Sequence, residues 1–201
     1  MAMRYRKILI GLTAAAALAA PPAQATTLIQ MNLKDLATRA DRIFRGTVVG
    51  VNTGTVRAGG SDLPTITYRL KVEERFKGEY AVVKDDAALV EIQMVGAKDD
   101  RTVDGERHFS LFRDVPRLAM GGEYVLFTTR PSSVGLSTTV GLGQGAFTIT
   151  GAGKDEAAVN SFGNAGLRRG LEASSAASRL PSGGPVPYPQ LAAAIRAVLS
   201  E

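Results

Sequence analysis

Residues 65–76 read TITYRLKVEERF, and this stretch decides the fold because its apolar and polar side chains alternate. The apolar positions fall on one side of an extended chain: Ile66, Tyr68, Leu70 and Val72. Arg69 and Lys71 fall on the other side, which predicts a strand with one face in a core and one in water. Glu73 and Glu74 interrupt the alternation and predict a bulge or the end of the strand.

Further stretches on both sides of this strand also have strand composition. Residues 42–51 (RIFRGTVVGV) are rich in β-branched side chains, and apolar residues alternate again across residues 90–94. Residues 122–129 (GEYVLFTT) are continuously apolar, which predicts a strand buried on both faces. Residues 135–150 contain a fifth strand or a hairpin. We therefore predict a mainly β fold, a small five-stranded barrel of the OB type, closed or half-closed.

Short helices are predicted at both ends of this barrel. Asn32 can cap a helix that starts at Leu33, and an apolar stripe follows Pro189. Residues 52–62 (NTGTVRAGGSD) have turn composition. The predicted division of the chain is a signal peptide over residues 1–25, the barrel over 26–150, a flexible Gly-, Ala-, Ser- and Pro-rich segment with little core over 151–187, and a C-terminal helix over 188–201.

The first 25 residues have the three parts of a secretory signal peptide. Positive charges come first, at Arg4, Arg6 and Lys7, and an uncharged apolar run follows over residues 8–20. Thirteen helical residues rise only about 20 Å, which is too short for an uncleaved anchor through a hydrocarbon core of about 30 Å. We predict cleavage after Ala25, at the small-x-small sequence AQA, and export to the periplasm or the extracellular space.

Removal of this segment brings the chain close to neutrality. The full chain has 24 Lys and Arg against 19 Asp and Glu, and three of the positive residues leave with the signal peptide, so 21 remain. Although OB barrels often bind oligonucleotides, this balance and an aromatic content of 6% argue against nucleic acid as a partner. No later stretch is long and apolar enough to span a bilayer, so we expect no stable membrane insertion after processing.

The chain contains no cysteine. This absence excludes disulfides, zinc sites built from thiolates, thiol nucleophiles and lipid attachment at a cysteine. The exported domain must therefore be stable through burial of its core alone.

Three segments in order resemble the netrin-like OB barrel, best known from the tissue inhibitors of metalloproteinases. They are residues 40–51 (ADRIFRGTVVGV), 67–79 (TYRLKVEERFKGE) and 121–129 (GGEYVLFTT). The shared elements are a first strand after a short helix, a second strand that ends in Phe-Lys-Gly, and a Gly-Glu-Tyr start of the fourth strand. The resemblance covers residues 33–150 and is shared with a broad set of bacterial exported proteins.

The resemblance implies a role for the mature N-terminus. In the inhibitor family, an N-terminal cysteine binds the zinc of the protease through its α-amine and carbonyl group, and disulfides hold that cysteine on the barrel. The corresponding positions here are Thr26 and Thr27, and no disulfide can hold them. Packing of Leu28, Ile29 and Met31 on the barrel is the anchor that the sequence offers.

Two other motifs invite catalytic or cofactor interpretations. His108 is the sole histidine, and Asp104 and Glu106 lie nearby in sequence. A transition-metal site usually needs several nitrogen or sulfur ligands, and this chain offers one imidazole and no thiolate. We therefore interpret His108 as a loop histidine. Residues 141–146 (GLGQGA) are rich in glycine, but a strand follows them where a phosphate loop needs a helix, so we predict a turn or bulge and no cofactor.

The sequence as a whole predicts an exported, non-enzymatic binding module. A protein is the expected partner, with an exported protease as the candidate that the resemblance implies. The alternative is a hydrolase that uses His108 with loop carboxylates. Substitution of His108 by alanine would distinguish the two, because only the hydrolase depends on the imidazole.

Overall fold

The computed structural model of the chain describes residues 29–80, 88–96, 102–103, 106–107, 115–171 and 176–201. Helix α1 spans Leu33–Arg39 and begins as predicted, because the Asn32 side chain accepts from the N–H of Asp35 and the Asp35 carboxylate accepts from the N–H of Asn32. This reciprocal capping box satisfies two N–H groups at the start of the helix. The predicted cleavage site and residues 1–28 lie outside the described residues.

The two longest strands, β1 (Arg42–Ala58) and β2 (Ser61–Lys77), form one antiparallel hairpin. The predicted alternation in β2 is confirmed, since its four apolar positions are buried whereas Arg69 and Lys71 are exposed. The predicted bulge is confirmed too, because Arg45 pairs with Glu74 and Gly46 with Val72, which leaves Glu73 as the extra residue.

The hairpin is longer than the sequence predicts. Residues 52–62 were expected to form a turn, but the ladder continues until Ala58 pairs with Ser61. The turn itself is Gly59-Gly60, at φ values of 60° and 82°, which suits the two-residue loop of a hairpin. Pairing with the partner strand has overridden the weak strand propensity of Asn and Gly in this outer half of the hairpin.

The remaining described strands are β3 (Ala88–Val95), β4 (Thr102–Val103), β5 (Glu106–Arg107), β6 (Glu123–Thr128), β7 (Ala146–Thr150), β8 (Ala157–Asn160) and β9 (Val186–Pro187). Among the described residues, seven strands form one antiparallel sheet in the order β3-β2-β1-β6-β7-β8-β9, and β4 pairs with β5 separately. The sheet is open, so the mainly β prediction is confirmed and the five-stranded closed barrel is wrong. Strands β7, β8 and β9 extend the sheet past β6, and β3 makes a single isolated bridge, from Gln93 to Leu136, to the segment that would close a barrel.

Each face of the sheet carries its own core. The helix-side core packs α1 and α2 (Tyr188–Ser200) against the sheet, and the hairpin-side core lies between β1, β2, β3 and β6. Strand β6 serves both, since Phe127 points into the helix-side core and Leu126 into the hairpin-side core. The prediction that residues 122–129 are buried on both faces is thereby confirmed.

The segment over residues 151–187 was expected to add little core, and this expectation is wrong. It contains β8 and β9, and it buries five apolar side chains in the helix-side core: Ala158, Leu167, Ala177, Leu180 and Val186. They are spread among glycines, prolines and polar residues, so the segment shows neither helix nor strand periodicity. Ala158 and Val186 reach the core on the short strands β8 and β9, whereas hydrogen-bonded turns bring Leu167 and Leu180 there.

Helix α2 closes the fold as predicted, with Pro189 in its first turn. Leu191 and Ile195 are fully buried, and they share the helix-side core with Leu33 and Leu36 of α1. Among the described residues, no helix is long and apolar enough to cross a membrane.

Candidate functional site

The N-terminal segment that the sequence singled out is held against the body of the protein from its first described residue. Thr26 and Thr27 lie outside the described residues. Ile29, Gln30 and Met31 precede the capped start of α1 and run past the turn before β7. The contacts of these three residues determine where the preceding residues emerge.

One buried side chain, Gln144, holds this segment through two hydrogen bonds. The N–H of Met31 donates to Oε1 of Gln144 at 2.8 Å, and Nε2 of Gln144 donates to the carbonyl oxygen of Ile29 at 3.0 Å. The side-chain amide thus pairs with the backbone as a neighbouring strand would. We call this arrangement the amide clasp. Gln144 is only 4% exposed, so both hydrogen bonds form in a site with little access to water.

A short 3-10 turn, Leu142–Gly145, places Gln144 in the clasp. The turn starts at Gly141, at φ 62°, and the hydroxyl of Thr139 donates to the carbonyl oxygen of Leu142 at 2.7 Å. Strand β7 follows immediately, and no α-helix does, which agrees with the prediction of a turn in this glycine-rich stretch. The turn therefore positions a side-chain amide and lacks the helix N-terminus that a phosphate loop needs.

Two buried asparagines, Asn160 and Asn164, hold the backbone of the turn that carries Gln144. Nδ2 of Asn160 donates to the carbonyl oxygen of Gln144 at 3.0 Å. Oδ1 of Asn160 accepts from the N–H of Asn164 at 2.9 Å, and Oδ1 of Asn164 accepts from the N–H of Asn160 at 2.9 Å. Nδ2 of Asn164 also donates to the carbonyl oxygens of Ala158 and Gly184, both at 2.8 Å. This asparagine pair fixes the chain reversal after β8 relative to the turn that carries Gln144.

A second set of contacts holds the segment where it enters α1. The N–H of Leu33 donates to the carbonyl oxygen of Leu167 at 2.9 Å, and Nδ2 of Asn32 donates to that of Arg169 at 2.9 Å. Gly166 allows close approach, because a Cβ there would lie 2.5 Å from Cδ of Gln30. Residues 29–33 are therefore fastened at both ends without a disulfide.

Two large apolar side chains near the N-terminal segment, residues 29–31, are exposed. Ile29 is 81% exposed and Phe162 is 40% exposed. Both residues contact the turn that carries Gln144. The carbonyl oxygen of Ile29 accepts from the Gln144 side chain, and the Phe162 ring lies beside Gly143. Met31 is half-buried against the helix-side core. Ile29 and Phe162 thus add exposed apolar surface beside the anchored backbone.

A separate polar cluster forms around Arg45 of β1. Its guanidinium group makes an ion pair with Glu123, two hydrogen bonds of 2.9 and 3.0 Å with Glu156, and lies 4.1 Å from the centre of the Tyr188 ring. The Tyr188 hydroxyl in turn donates to Glu74. This cluster joins three strands to the start of α2, which favours a structural role in fastening the helix.

The pKa values in the Arg45 cluster reflect its pairing. Burial alone would lower the pKa of Arg45, but the hydrogen bonds to Glu156 and Glu123 raise it above its ordinary value. The hydrogen bond from Arg45 lowers the pKa of Glu156. Burial, together with the hydrogen bond to Glu74, raises the pKa of Tyr188. These shifts favour a charged Arg45, a charged Glu156 and a neutral Tyr188 at neutral pH.

The described part of the structure does not place the residues of the predicted hydrolase site, His108 and its neighbouring carboxylates, together. His108 and Asp104 lie outside the described residues, and Glu106 is described only as part of the backbone pair β4–β5. Among the described residues, no group of three His, Cys, Asp or Glu side chains could hold a metal ion.

Sequence reasoning missed Gln144, Asn160 and Asn164, which form and support the amide clasp. It also missed Arg45, the centre of the separate polar cluster. One signal was available, because asparagine tolerates positive φ and Asn164 stands in a glycine-rich stretch, NSFGNAG. Asn164 indeed has φ 59°. Nothing in the local sequence of Gln144 predicts its partner, which is 113 residues away.

Comparison with protein-family models finds no match to this chain, and a search of curated proteins finds no significant relative. The functional interpretation therefore rests on the sequence and on the geometry of the site.

Proposed function

We propose that this chain is an exported binding module that presents its N-terminal segment to a protein partner, and that an exported zinc protease is the candidate partner. The observation that carries the proposal is the amide clasp, in which Gln144 holds the backbone of Ile29 and Met31. In a chain without cysteine, this clasp takes the place of a disulfide as the anchor of the N-terminus.

The energetics of ordering support this role for the clasp. Ordering a backbone residue costs about 1–2 kcal/mol, so a free segment over residues 26–31 would cost about 6–12 kcal/mol when it binds. Because residues 29–31 are already held, about 3–6 kcal/mol of this cost does not arise on binding. The clasp therefore removes about half of the entropic cost of engaging a partner through Thr26 and Thr27.

The chemistry of a free N-terminus suits a metal-dependent partner. After cleavage behind Ala25, the α-amine of Thr26 would have an unperturbed pKa of about 7.7–8.0, so a useful neutral fraction exists at physiological pH. A neutral amine and the adjacent carbonyl oxygen can together chelate a zinc ion that has an open position. Binding through this pair would strengthen as pH rises toward that pKa, because only the unprotonated amine is a ligand.

Two backbone hydrogen bonds near β3 and β6 also support a half-closed barrel as the scaffold of this module. The N–H of Ser137 donates to the carbonyl oxygen of Gln93 in β3, and the N–H of Thr129 donates to that of Thr138, both at 2.8 Å. One segment thus contacts β3 on one side and the end of β6 on the other. We interpret these contacts as a short seam of the netrin-like type, with β7, β8 and β9 as an addition outside it.

The proposal is tested with the exported, processed chain and a thermolysin-type zinc endopeptidase. Intact mass first verifies that residues 1–25 are absent. We expect the chain that begins at Thr26 to inhibit the protease, and a chain with one extra alanine before Thr26 to lose inhibition, because the extension moves the α-amine away from the metal.

A matched pair of glutamine variants separates the clasp from general effects on stability. Gln144→Met keeps the size of the side chain but removes both hydrogen bonds, each worth about 0.5–1.5 kcal/mol, so inhibition should weaken about ten-fold or more. Gln93→Met is the control, since Gln93 is a half-buried glutamine whose amide contacts Thr65. Inhibition that is unchanged by the added alanine and by Gln144→Met would contradict the proposal.

A further inference from the structure

The outer part of the β1–β2 hairpin extends beyond the strands that flank it. Strand β1 pairs with β6 only over residues 42–47, and β2 pairs with β3 only from Thr65 onward. Residues 50–58 and 61–64 therefore form a ribbon in which, among the described strands, each strand pairs only with the other. We call this ribbon the hairpin arm. A two-stranded ribbon is marginally stable in water by itself, and a third strand adds stability.

One edge of the hairpin arm carries backbone groups that no described strand uses. In a two-residue hairpin, the residues that flank the turn, here Ala58 and Ser61, exchange hydrogen bonds with each other. Alternate residues of β1 then point their N–H and C=O groups away from β2: Val51, Thr53, Thr55 and Arg57. Pro64 supports this phase, because it pairs with Thr55 and its carbonyl oxygen accepts from the N–H of Gly96 on the β3 side.

The β1 edge of the hairpin arm is accessible and lacks the features that protect the opposite edge. Residues 52–55 are exposed, and the pairing from Gly50 to Ala58 contains no bulge. On the β2 side, Pro64 has no N–H and its carbonyl group is already used. Natural proteins place proline, bulges or charges on strand edges that must not pair, and the β1 edge carries only the charge of Arg57. An extended segment can therefore add to this edge.

We propose that the β1 edge of the hairpin arm binds the same edge of a second copy of this chain, antiparallel and around a two-fold axis at Gly54. In this register, Thr53 lies opposite Thr55 of the second copy. Val51 lies opposite Arg57 of the second copy, so all four outward-facing residues are paired. Threonine pairs are favourable across antiparallel strands, and no two like charges are opposed. The two-fold axis lets one surface serve both copies.

The side chains of this edge favour a second copy over a foreign strand. Recognition of a foreign strand draws its specificity from pockets for alternate side chains. The exposed residues Thr53, Gly54 and Thr55 have small side chains or none, and the described residues form no such pocket beside them. Backbone pairing with an identical edge needs no pocket, because the complementarity is supplied by the symmetry.

Sedimentation equilibrium measures the association of the chain that begins at Thr26, up to about 1 mM because a small interface implies weak binding. Gly54→Lys is the main variant. A Cβ at Gly54 meets nothing closer than Oγ1 of Thr65, at 3.5 Å, so the single copy accepts a side chain there. At the axis, each lysine would face its own copy, and like charges directly opposite one another repel. We expect the parent to dimerise and Gly54→Lys to associate at least ten-fold more weakly.

Gly54→Asp separates the contact from effects on folding. It should also weaken self-association at least ten-fold. An equimolar mixture of Gly54→Lys and Gly54→Asp should form a mixed dimer, because opposite charges then meet at the axis. Ser61→Lys is the control, since it adds the same charge at an exposed residue of the β2 strand of the arm and should associate as the parent does.

Amide exchange locates the contact. The N–H groups of Thr53 and Thr55 should gain protection as the concentration of the parent rises, whereas that of Val56, which faces β2, should not change. The proposal is overturned if the parent is monomeric at about 1 mM, or if both Gly54 variants self-associate as the parent does or fail to pair when mixed. Protection of Thr53 and Thr55 that does not depend on concentration would also overturn it, because the chain itself would then cover the edge. A dimer that leaves both N–H groups unprotected would place the interface elsewhere and overturn it too.

Discussion

At the scale of single residues, the fold depends on a few amides that satisfy buried backbone groups. Asn164 is fully buried at φ 59°, and its side chain serves the N–H of Asn160 and the carbonyl oxygens of Ala158 and Gly184. No apolar residue could replace it, because a buried polar group that loses its partner keeps the full cost of desolvation.

Asn164→Ala should therefore be strongly destabilising. Two buried backbone groups and one partly buried group lose their partner, and each buried group costs about 1–3 kcal/mol, so the free energy of unfolding should fall by at least about 2 kcal/mol. Urea denaturation measures this change. The exposed Asn52 provides the control, since Asn52→Ala should stay within about 0.5 kcal/mol of the parent. A loss below about 1 kcal/mol at Asn164 would show that the asparagine pair is not a stabilising element.

Glu156 makes the free energy of unfolding depend on pH in the acidic range. Its hydrogen bond from Arg45 lowers its pKa below the ordinary value of 4.5, so the unfolded chain takes up this proton at a higher pH than the folded one. The contribution of the ion pair is fully present above the unfolded pKa and is lost as pH falls through the folded pKa. We expect Glu156→Gln to be less stable than the parent at neutral pH, and the difference to disappear progressively below about pH 4.5. Unfolding curves measured between neutral and acidic pH check this, and a difference that grows toward low pH would refute it.

At the scale of elements, the alternating strands were predictable and the polar turns were not. Strand β2 could be predicted because its period of two is carried by large side chains, from Ile66 to Val72. Strand β8 could not, because its four residues, AAVN, carry little pattern and depend on Asn160 for their position. The amide clasp lay beyond sequence reasoning for the same reason, as it joins residues that are distant in sequence through side-chain geometry.

The hairpin-side core should be sensitive to the loss of volume in β2. Leu70 has no exposed surface and pairs with Val90 across the sheet. Leu70→Ala removes three carbon atoms from a packed interior that no disulfide supports, and should cost about 2–5 kcal/mol. Thermal or chemical unfolding measures the cost, with the neighbouring exposed Lys71→Ala as the control. A cost for Leu70→Ala as small as that of the control would mean that this core is loosely packed.

At the scale of the whole molecule, the two cores explain how a chain without cysteine keeps residues 29–33 in place. The hairpin-side core packs one face of the sheet, and the helix-side core joins Ala158, Leu167, Leu180 and Val186 to α1 and α2. The amide clasp lies beside the second core, where the turn before β7 meets the segment that enters α1. Residues of the segment that looked least structured thus support the clasp, since Asn160 holds the turn of Gln144 and Leu167 holds the N–H of Leu33.

The measurement that tests this account most directly is residue-resolved amide exchange on the chain that begins at Thr26. The N–H of Met31 is held by Gln144, so we predict that it exchanges slowly in the parent and in Gln93→Met, and at least ten-fold faster in Gln144→Met. The N–H of Leu33, held by Leu167, should stay protected in all three and reports that the fold is intact. Exchange of Met31 at the rate of a free peptide in the parent, or equal protection in Gln144→Met, would contradict the anchored N-terminus.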